Sequence, residues 1–392
     1  ASDVYKRQGM IRVCGCVNSQ KSHMMYALGD GCKYKVIACS SETKAKQIYE
    51  EYRFLDSNTY LYPAKDFLFY QADIRSKELV KQRMEGIQAV LSGEPVTVVT
   101  SLDGFMDHLA PKESIAEKVL KIQNDSVLKL DEMAEKLSVI GYDREVQVEG
   151  PGQFAVRGGI LDIYPLTEEL PVRIELWGDE VDSIRTFDVE SQRSIENLMD
   201  IVIYPAVEFP QNGEKGVSFL DYFPPEDTIL FLDEPVRLVE RGQNIEDEFM
   251  EAQKKRLESG YDLEEEEAKI FPVTEILKKI NCYSSIGFYA LEMKCKGLEV
   301  RESYEIQAKS VNPYNNSFEM LTQDLKRLKR NGYRVILLSG SRTRAKRLAE
   351  DLRDYNLSSY YSDELDREVA PGEIMTAYGH VAYGYEYPML KF

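Results

Sequence analysis

The sequence predicts a multidomain α/β protein, in which an α+β domain is inserted into a first α/β domain and a second, small α/β domain follows. The chain has 392 residues, enough for two or three domains of about 150 residues. Strand and helix patterns alternate from residue 10 to about 118 and again after residue 228, which is typical of parallel sheets. Between them, from Glu149 to Pro205, short strands and turns replace the alternation.

These changes of pattern give the expected domain boundaries. Domain 1 combines residues 10–118 and 209–309, domain 2 is the insertion at residues 119–208, and domain 3 covers residues 310–392. Residues 1–8 do not fit this pattern and stay outside the fold argument.

Composition excludes several classes of protein. The net charge of −18 disfavours a nucleic-acid-binding surface, which needs clustered Lys and Arg, and suits protein partners. Six cysteines without a C-x-x-C pair and only three histidines disfavour a metal site. No apolar run reaches the roughly 20 residues that span a bilayer. A cytoplasmic protein without membrane attachment is expected.

The first domain begins with a strand, a loop and a helix. The apolar stretch MIRVCGCV leads into the loop, YKVIACSS reads as a second strand, and Ser41 is placed to cap the helix after it. PVTVVTS is a further buried strand. A third helix, SKELVKQRMEGIQAVLSG, carries one apolar stripe, formed by Val80, Met84, Ile87 and Leu91.

The loop GCVNSQKS resembles a phosphate-binding loop, G-x-x-x-x-G-K-[ST]. Gly15, Lys21 and Ser22 match the pattern, but Gln20 stands where the second glycine is needed for the backbone to approach phosphate. The apolar strand ILFLDE ends in Asp233 and Glu234, the position of the acid that holds Mg²⁺ in such folds. Chance explains each match alone, whereas both together indicate ancestry from a nucleotide-binding fold. Because Gln20 replaces the glycine and no second motor lobe is clearly marked in the sequence, we predict a vestigial site without ATP turnover.

Domain 2 contains the strand PVRIELWGDE, whose alternation places Val172, Ile174 and Leu176 toward the core. Arg173 and Trp177 then share the outer face, a composition typical of binding hot spots. The alternative is that Trp177 covers the core edge or packs on Arg173 through a cation–π contact.

Arg157 precedes the Gly158–Gly159 pair, where a bulge would interrupt the alternation of faces, so the pattern does not predict which face Arg157 occupies. The plainer interpretation of Arg157 is a surface salt bridge.

The later segments are predicted from periodicity and charge. A long charged helix runs from about Pro235 to Lys269 and includes the acidic run Glu264 to Glu267, read as a solvated face. SSIGFYAL and YEIQAKSV read as strands, and YRVILLSGS as a buried strand between two helices. The first of these helices has the apolar stripe Phe318, Leu321, Leu325 and Leu328.

Three stretches resemble the bacterial transcription-repair coupling factor (Mfd) family. GQFAVRGGILDIYP with LPVRIELWGDEVDSIRTFDVESQRS and YPAVEF looks like its UvrB-homology module, and YPAKDFLFYQADIRSKELVKQR is similar to its first domain. GYEYPMLKF resembles a strand of its third domain. The resemblance covers about residue 10 to the end, and RGGILDIYP is shared with the repair helicase UvrB.

The resemblance implies a UvrB-like fold with a dead nucleotide site and an inserted domain that binds UvrA. By motif, the UvrA contact falls on Arg157, Arg173 and Trp177, the last being a departure because the family often has phenylalanine there. No cofactor and no catalytic residue are expected for the chain itself. ATP and Mg²⁺, RNA polymerase and DNA would be bound by motor and other domains expected beyond Phe392.

Two alternatives stay open at this stage. One is a UvrB-like ATP-dependent DNA-repair helicase domain, which requires that the loop at Gln20 bind nucleotide. The other is direct DNA binding, which the net charge disfavours.

Overall fold

The computed structural model describes residues 9–65, 77–210, 213–259, 269–314, 317–364 and 367–392. Residues 66–76 of the stretch similar to the first domain and the acidic run Glu264 to Glu267 lie outside these ranges, as do residues 1–8.

The described residues form two compact units. The first combines residues 1–59, 225–241 and 277–392, and the second combines residues 60–224 and 242–276. Each unit is assembled from distant segments of the chain. The division into three domains stays a prediction.

Strands and helices alternate in the first unit. Its strands are β1 (Gly9–Cys14), β2 (Tyr34–Cys39), β13 (Thr228–Asp233), β14 (Ser284–Tyr289), β15 (Val300–Glu305), β16 (Lys309–Ser310), β17 (Val335–Ser339), β18 (Ser359–Tyr361), β19 (Ile374–Tyr378) and β20 (Tyr385–Glu386). Its helices are α1 (Gln20–Leu28), α2 (Glu42–Tyr52), α8 (Phe318–Arg330) and α9 (Arg342–Asp354).

The second unit holds most of the remaining elements. Its strands are β3 (Thr59–Tyr62), β4 (Val96–Ser101), β5 (Leu120–Gln123), β6 (Asp143–Arg144), β7 (Gln153–Arg157), β8 (Ile160–Tyr164), β9 (Val172–Trp177), β10 (Glu180–Phe187), β11 (Ser194–Leu198) and β12 (Asp200–Ile203). Its helices are α3 (Lys77–Leu91), α4 (Lys112–Glu117) and α5 (Leu130–Val139). The division between units passes through α6 (Pro235–Glu258) and α7 (Val273–Ile280), and it separates Thr59, the first residue of β3, from the rest of that strand.

A parallel sheet forms the centre of the first unit. Five strands of this unit pair in the order β15-β1-β14-β13-β2, and each pairs with its neighbours in parallel. Strand β13 is buried along its whole length, as its continuous apolar sequence predicts. The sheet therefore holds the carboxyl ends of β1 and β13 in fixed positions, which places the loop at Gly15 and the Asp233–Glu234 pair.

The C-terminal part of this unit is a smaller parallel sheet with the order β17-β19-β18. Leu325 and Leu328 of α8 and Leu352 of α9 belong to its core. The prediction of a strand at GYEYPMLKF was wrong in extent. Only Tyr385–Glu386 pair with β16, because the chain then closes a turn in which the Tyr387 amide donates to the Phe392 carbonyl.

The second unit contains a six-stranded sheet with the order β11-β10-β9-β8-β7-β6. All neighbours pair antiparallel except β6 and β7. One face carries the core, to which α5 contributes Ala134 and Leu137. The mixed α/β fold with a parallel sheet and an α+β part is confirmed.

Helix boundaries differ from the predictions mainly at charged ends. The long charged helix ends at Glu258, and residues 260–268 lie outside the described ranges. Ser41 caps α2 as predicted, since its side chain accepts a hydrogen bond from the Lys44 amide. No helix in the described part of the chain is long and apolar enough to cross a bilayer.

Candidate functional site

The loop between β1 and α1 has the strand-loop-helix arrangement of a phosphate-binding loop. Gly15 adopts a φ of +80°, and a Cβ on it would lie 2.1 Å from the carbonyl oxygen of Ile306. The Ile306 amide in turn donates to the Cys14 carbonyl. Gly15 is therefore required by the chain packed against the loop, whether or not a phosphate binds.

Gln20 fills part of the loop with its own side chain. The residue is buried, and its Oε1 accepts a 3.2 Å hydrogen bond from the Val17 amide. Its Nε2 donates to the Tyr387 hydroxyl, also at 3.2 Å. One of the backbone donors of the loop is thus taken by the residue that replaces the glycine.

Lys21 is paired inside the protein. Its Nζ lies 2.7 Å from Oδ1 of Asp233 and 2.6 Å from Oε1 of Glu234. Burial lowers the pKa of the Lys21 ammonium, but attraction to Asp233 and hydrogen bonds to both carboxylates outweigh this and raise the pKa above its ordinary value. The structure thus brings the loop lysine and the two acids of β13 together, as a closed ion triad.

Glu234 is held in place by its backbone. Its φ of +55° is unusual for a residue with a side chain, and its amide donates to the Phe288 carbonyl. Its Oε1 also accepts a hydrogen bond from the Ala290 amide. The Glu234 carboxylate is therefore oriented toward Lys21 by the neighbouring strand.

Glu51, at the end of α2, supplies an internal anion to the loop. Its carboxylate accepts hydrogen bonds of 2.6 Å from the Ser19 hydroxyl and 2.7 Å from the Ser22 hydroxyl. All three side chains are buried. A carboxylate thus occupies the Ser22 hydroxyl, which stands where a working loop has the Ser or Thr that binds Mg²⁺.

A second group of polar residues lies on the outer face of the six-stranded sheet. Register pairs Arg157 with Ile160, Ile160 with Glu175, and Asp162 with Arg173, so these side chains project from one face. Val172 and Ile174 point to the core, as the alternation predicts. Arg157, Arg173 and Trp177 therefore share the outer face.

Asp162 is the centre of this face. It is 1% exposed, and its carboxylate accepts a bidentate pair of hydrogen bonds from Arg173, at 2.7 and 2.9 Å. Its Oδ2 also accepts a 2.7 Å hydrogen bond from Arg157. One buried carboxylate thus orients both guanidinium groups.

The two arginines differ in how firmly they are held. The Arg173 side chain is 14% exposed, stacks on the Phe187 ring at 4.5 Å and donates a 2.8 Å hydrogen bond to the Gln192 side chain. The Arg157 side chain is 45% exposed. Arg173 is mainly a packed residue with one accessible edge, whereas Arg157 presents its charge to solvent.

Trp177 projects from the end of β9. It is 84% exposed, so the alternative that it covers the core edge is wrong. Gly178, with a φ of +66°, begins the turn after it, and Gly158, with a φ of +60°, begins the turn after Arg157. Because β7 and β9 each pair antiparallel with β8, both turns lie at the same end of the sheet.

Sequence reasoning missed the residues that organise these sites. Glu51 and Gln192 carry ordinary polar side chains 29 and 19 positions from partners in other segments, whereas Asp162 is only 5 and 11 positions from Arg157 and Arg173. For Asp162 a signal existed, because its place in the alternation of ILDIY puts an acid on the same face as Arg173. Within the described residues, no group of three or more His, Cys, Asp or Glu side chains is arranged to hold a metal ion.

Comparisons with known proteins agree with this architecture. Residues 120–209 match the family described as the UvrB interaction domain. The chain is 26% identical over 394 residues to a transcription-repair-coupling factor of Bacillus subtilis, with 86% of the chain and 33% of the relative covered. Transcription-repair-coupling factors of Staphylococcus epidermidis and Staphylococcus aureus are each 23% identical, with the same coverage.

The chain thus spans about a third of the length of the curated relatives it matches. The matched domain contains the whole six-stranded sheet and its outer face. The resemblance seen in the sequence is therefore confirmed: residues 120–209 match the UvrB interaction domain, and the chain is similar to transcription-repair-coupling factors over 86% of its length.

Proposed function

We propose that this chain is a protein-binding module of transcription-coupled repair and that the outer face of its UvrB interaction domain recruits UvrA. The relatives are transcription-repair-coupling factors, which supports the pathway. The observation that carries the proposal is the common outer face of Arg157, Arg173 and Trp177, with Trp177 84% exposed. An exposed tryptophan beside oriented arginines has the composition of an interface hot spot.

Each residue has a distinct role in this proposal. Trp177 enters an apolar pocket of UvrA, where removing its surface from water provides most of the binding energy. Arg157 pairs with a carboxylate of UvrA. Arg173 is hydrogen-bonded to Asp162 and stabilises the arrangement of side chains on the outer face. The accessible edge of its guanidinium group adds positive charge.

Biolayer interferometry of the chain against purified UvrA tests the proposal. Loss of a central hot-spot residue costs about 2 kcal/mol or more, which is a rise in Kd of about thirtyfold. We expect this for Trp177→Ala and a smaller rise for Arg157→Ala. Val139→Ala is the matched control, because Val139 is exposed on α5, the helix that packs on the core face.

Arg173→Ala is a weaker test, because it also removes the bidentate partner of a buried carboxylate. Thermal melting must show that each variant is folded. Unchanged binding of folded Trp177→Ala and Arg157→Ala proteins, or no binding by the wild type, would overturn the proposal.

The rival function, a UvrB-like ATP-dependent helicase domain, is disfavoured by the loop. Lys21 is neutralised by Asp233 and Glu234, and Glu51 occupies the hydroxyl donors of Ser19 and Ser22. We propose that the loop does not bind nucleotide, and that ATP, Mg²⁺, DNA and RNA polymerase are bound by other parts of the whole protein. Isothermal titration with Mg-ATP tests this, and measurable heat that disappears in Lys21→Ala would restore the rival function.

A further inference from the structure

The degenerate phosphate loop contacts a segment from the C-terminal part of the same compact unit. We call this segment, residues 380–387, the strap. It follows β19 and contains β20. Its contacts with the loop join residues more than 350 positions apart, as the separations of 364 and 367 for two of the hydrogen bonds show.

Two successive backbone amides of the strap bind to Glu51 and to Ser19, the residue that donates to Glu51. The Ala382 amide donates a 3.1 Å hydrogen bond to Oε1 of Glu51. The Tyr383 amide donates a 3.0 Å hydrogen bond to the Ser19 hydroxyl, which itself donates to Glu51. Ser19 and Glu51 therefore form one acceptor pair for consecutive amides.

Side chains of the strap extend this contact. The Tyr387 hydroxyl accepts from Gln20, and the Tyr385 ring stacks against His23 of α1, with ring centroids 6.1 Å apart. The His380 ring lies 6.0 Å from that of Phe54, which follows α2. The residue that makes the loop unfit for phosphate, Gln20, is thus one of those that bind the strap.

We propose that the degenerate phosphate loop, together with Glu51, is an intrachain docking site whose ligand is the strap. In a working loop, backbone amides bind the phosphate anion, and the Ser or Thr hydroxyl after the lysine binds Mg²⁺. Here the hydroxyl at that position, of Ser22, donates to the Glu51 carboxylate, as does the Ser19 hydroxyl. The acceptor capacity left on that carboxylate and on Ser19 binds peptide amides. The site has exchanged an anionic ligand for a peptide backbone with aromatic side chains, and this is independent of any UvrA contact.

Hydrogen exchange in the full 392-residue chain tests this docking. The measured quantity is the exchange rate of the Ala382 and Tyr383 amides, read by NMR or by mass spectrometry of a peptide covering the strap. We expect Glu51→Ala to speed exchange at both amides at least tenfold and to leave β17 protected, because the opening is local. Glu50→Ala is the matched control, since Glu50 is exposed on the same helix.

A second variant keeps the test decisive if Glu51→Ala fails to fold. Ser19→Ala leaves the Glu51 contacts with Ser22 and Ala382 in place. It removes the acceptor of Tyr383 together with the Ser19–Glu51 hydrogen bond. It should therefore speed exchange of the Tyr383 amide more than that of Ala382. Unchanged exchange in folded Ser19→Ala protein, or unprotected amides in the wild type, would overturn the proposal.

Discussion

The loop around Lys21 and the outer face around Asp162 use charged residues in opposite ways. In the loop, a buried cation meets two acids, and each partner is inside the protein. On the outer face, one buried acid meets two cations, of which Arg157 keeps much of its surface in water. Both regions look like binding sites in the sequence, yet only the second presents charge and an aromatic side chain to solvent. The motif of the loop indicates its ancestry, whereas the solvent exposure of its side chains indicates whether a region can contact a partner.

Because Lys21 of the loop is paired with two acids, its removal should lower the free energy of unfolding substantially. Lys21→Ala leaves the buried Asp233 and the partly buried Glu234 without their cation, so we expect a loss of about 3–5 kcal/mol in the free energy of unfolding. Urea denaturation measures it. Lys46→Ala is the control, because its pair with Glu42 is exposed and is worth about 0.5 kcal/mol or less. Equal, small losses of unfolding free energy in both variants would show that the triad of Lys21, Asp233 and Glu234 does not stabilise the fold.

Substitution of the two arginines of the outer face should lower the free energy of unfolding by different amounts. Arg173→Ala removes both bonds to one carboxylate and a stacking contact, and should cost about 1–3 kcal/mol of unfolding free energy. Arg157→Ala, at a more exposed side chain, should cost less than about 1 kcal/mol. Chemical denaturation of both variants checks the order. A larger loss of unfolding free energy for Arg157→Ala would contradict this order, because Asp162 would then depend more on Arg157 than on Arg173.

The pH dependence of the loop follows from the raised pKa of Lys21. Because the folded-state pKa is above the unfolded value of about 10.4, the triad stabilises the protein fully below that pH. Its contribution falls as pH rises further and is lost above the folded-state pKa. The difference in unfolding free energy between wild type and Lys21→Met should therefore be constant from pH 8 to 10 and then shrink. A difference that grows with alkaline pH would contradict the assigned direction.

Local sequence patterns predicted the parts of the fold that depend on neighbours in the chain. Continuous apolar residues predicted β13, alternation predicted the two faces of β9, and Ser41 predicted the start of α2. The loop contacts were not predictable in this way, because Glu51 and the strap reach it only through tertiary packing. The same limit applies to GYEYPMLKF, where a turn between Tyr387 and Phe392 replaced the expected strand. Sequence patterns predict on which face of an element a residue lies. The role of that residue depends on the residues that it contacts through tertiary packing.

The smallest expected effect concerns Cys16, which lies within the loop. Burial raises the pKa of its thiol to about 12, although Lys21 nearby lowers it, so the reactive thiolate is scarce at pH 8. The thiol is also 1% exposed. Iodoacetamide should therefore label exposed Cys282 in the native protein and leave Cys16 unlabelled until the chain is unfolded in urea.

Peptide mapping by mass spectrometry distinguishes the two thiols. In Glu51→Ala, where the internal anion is absent, Cys16 should become labelled faster than in the wild type, whereas Glu50→Ala should leave its rate unchanged. Labelling of native Cys16 at the rate of Cys282 would show that the loop opens on its own. The contrast would then fail, because the loop would be open to solvent, as the outer face around Trp177 is.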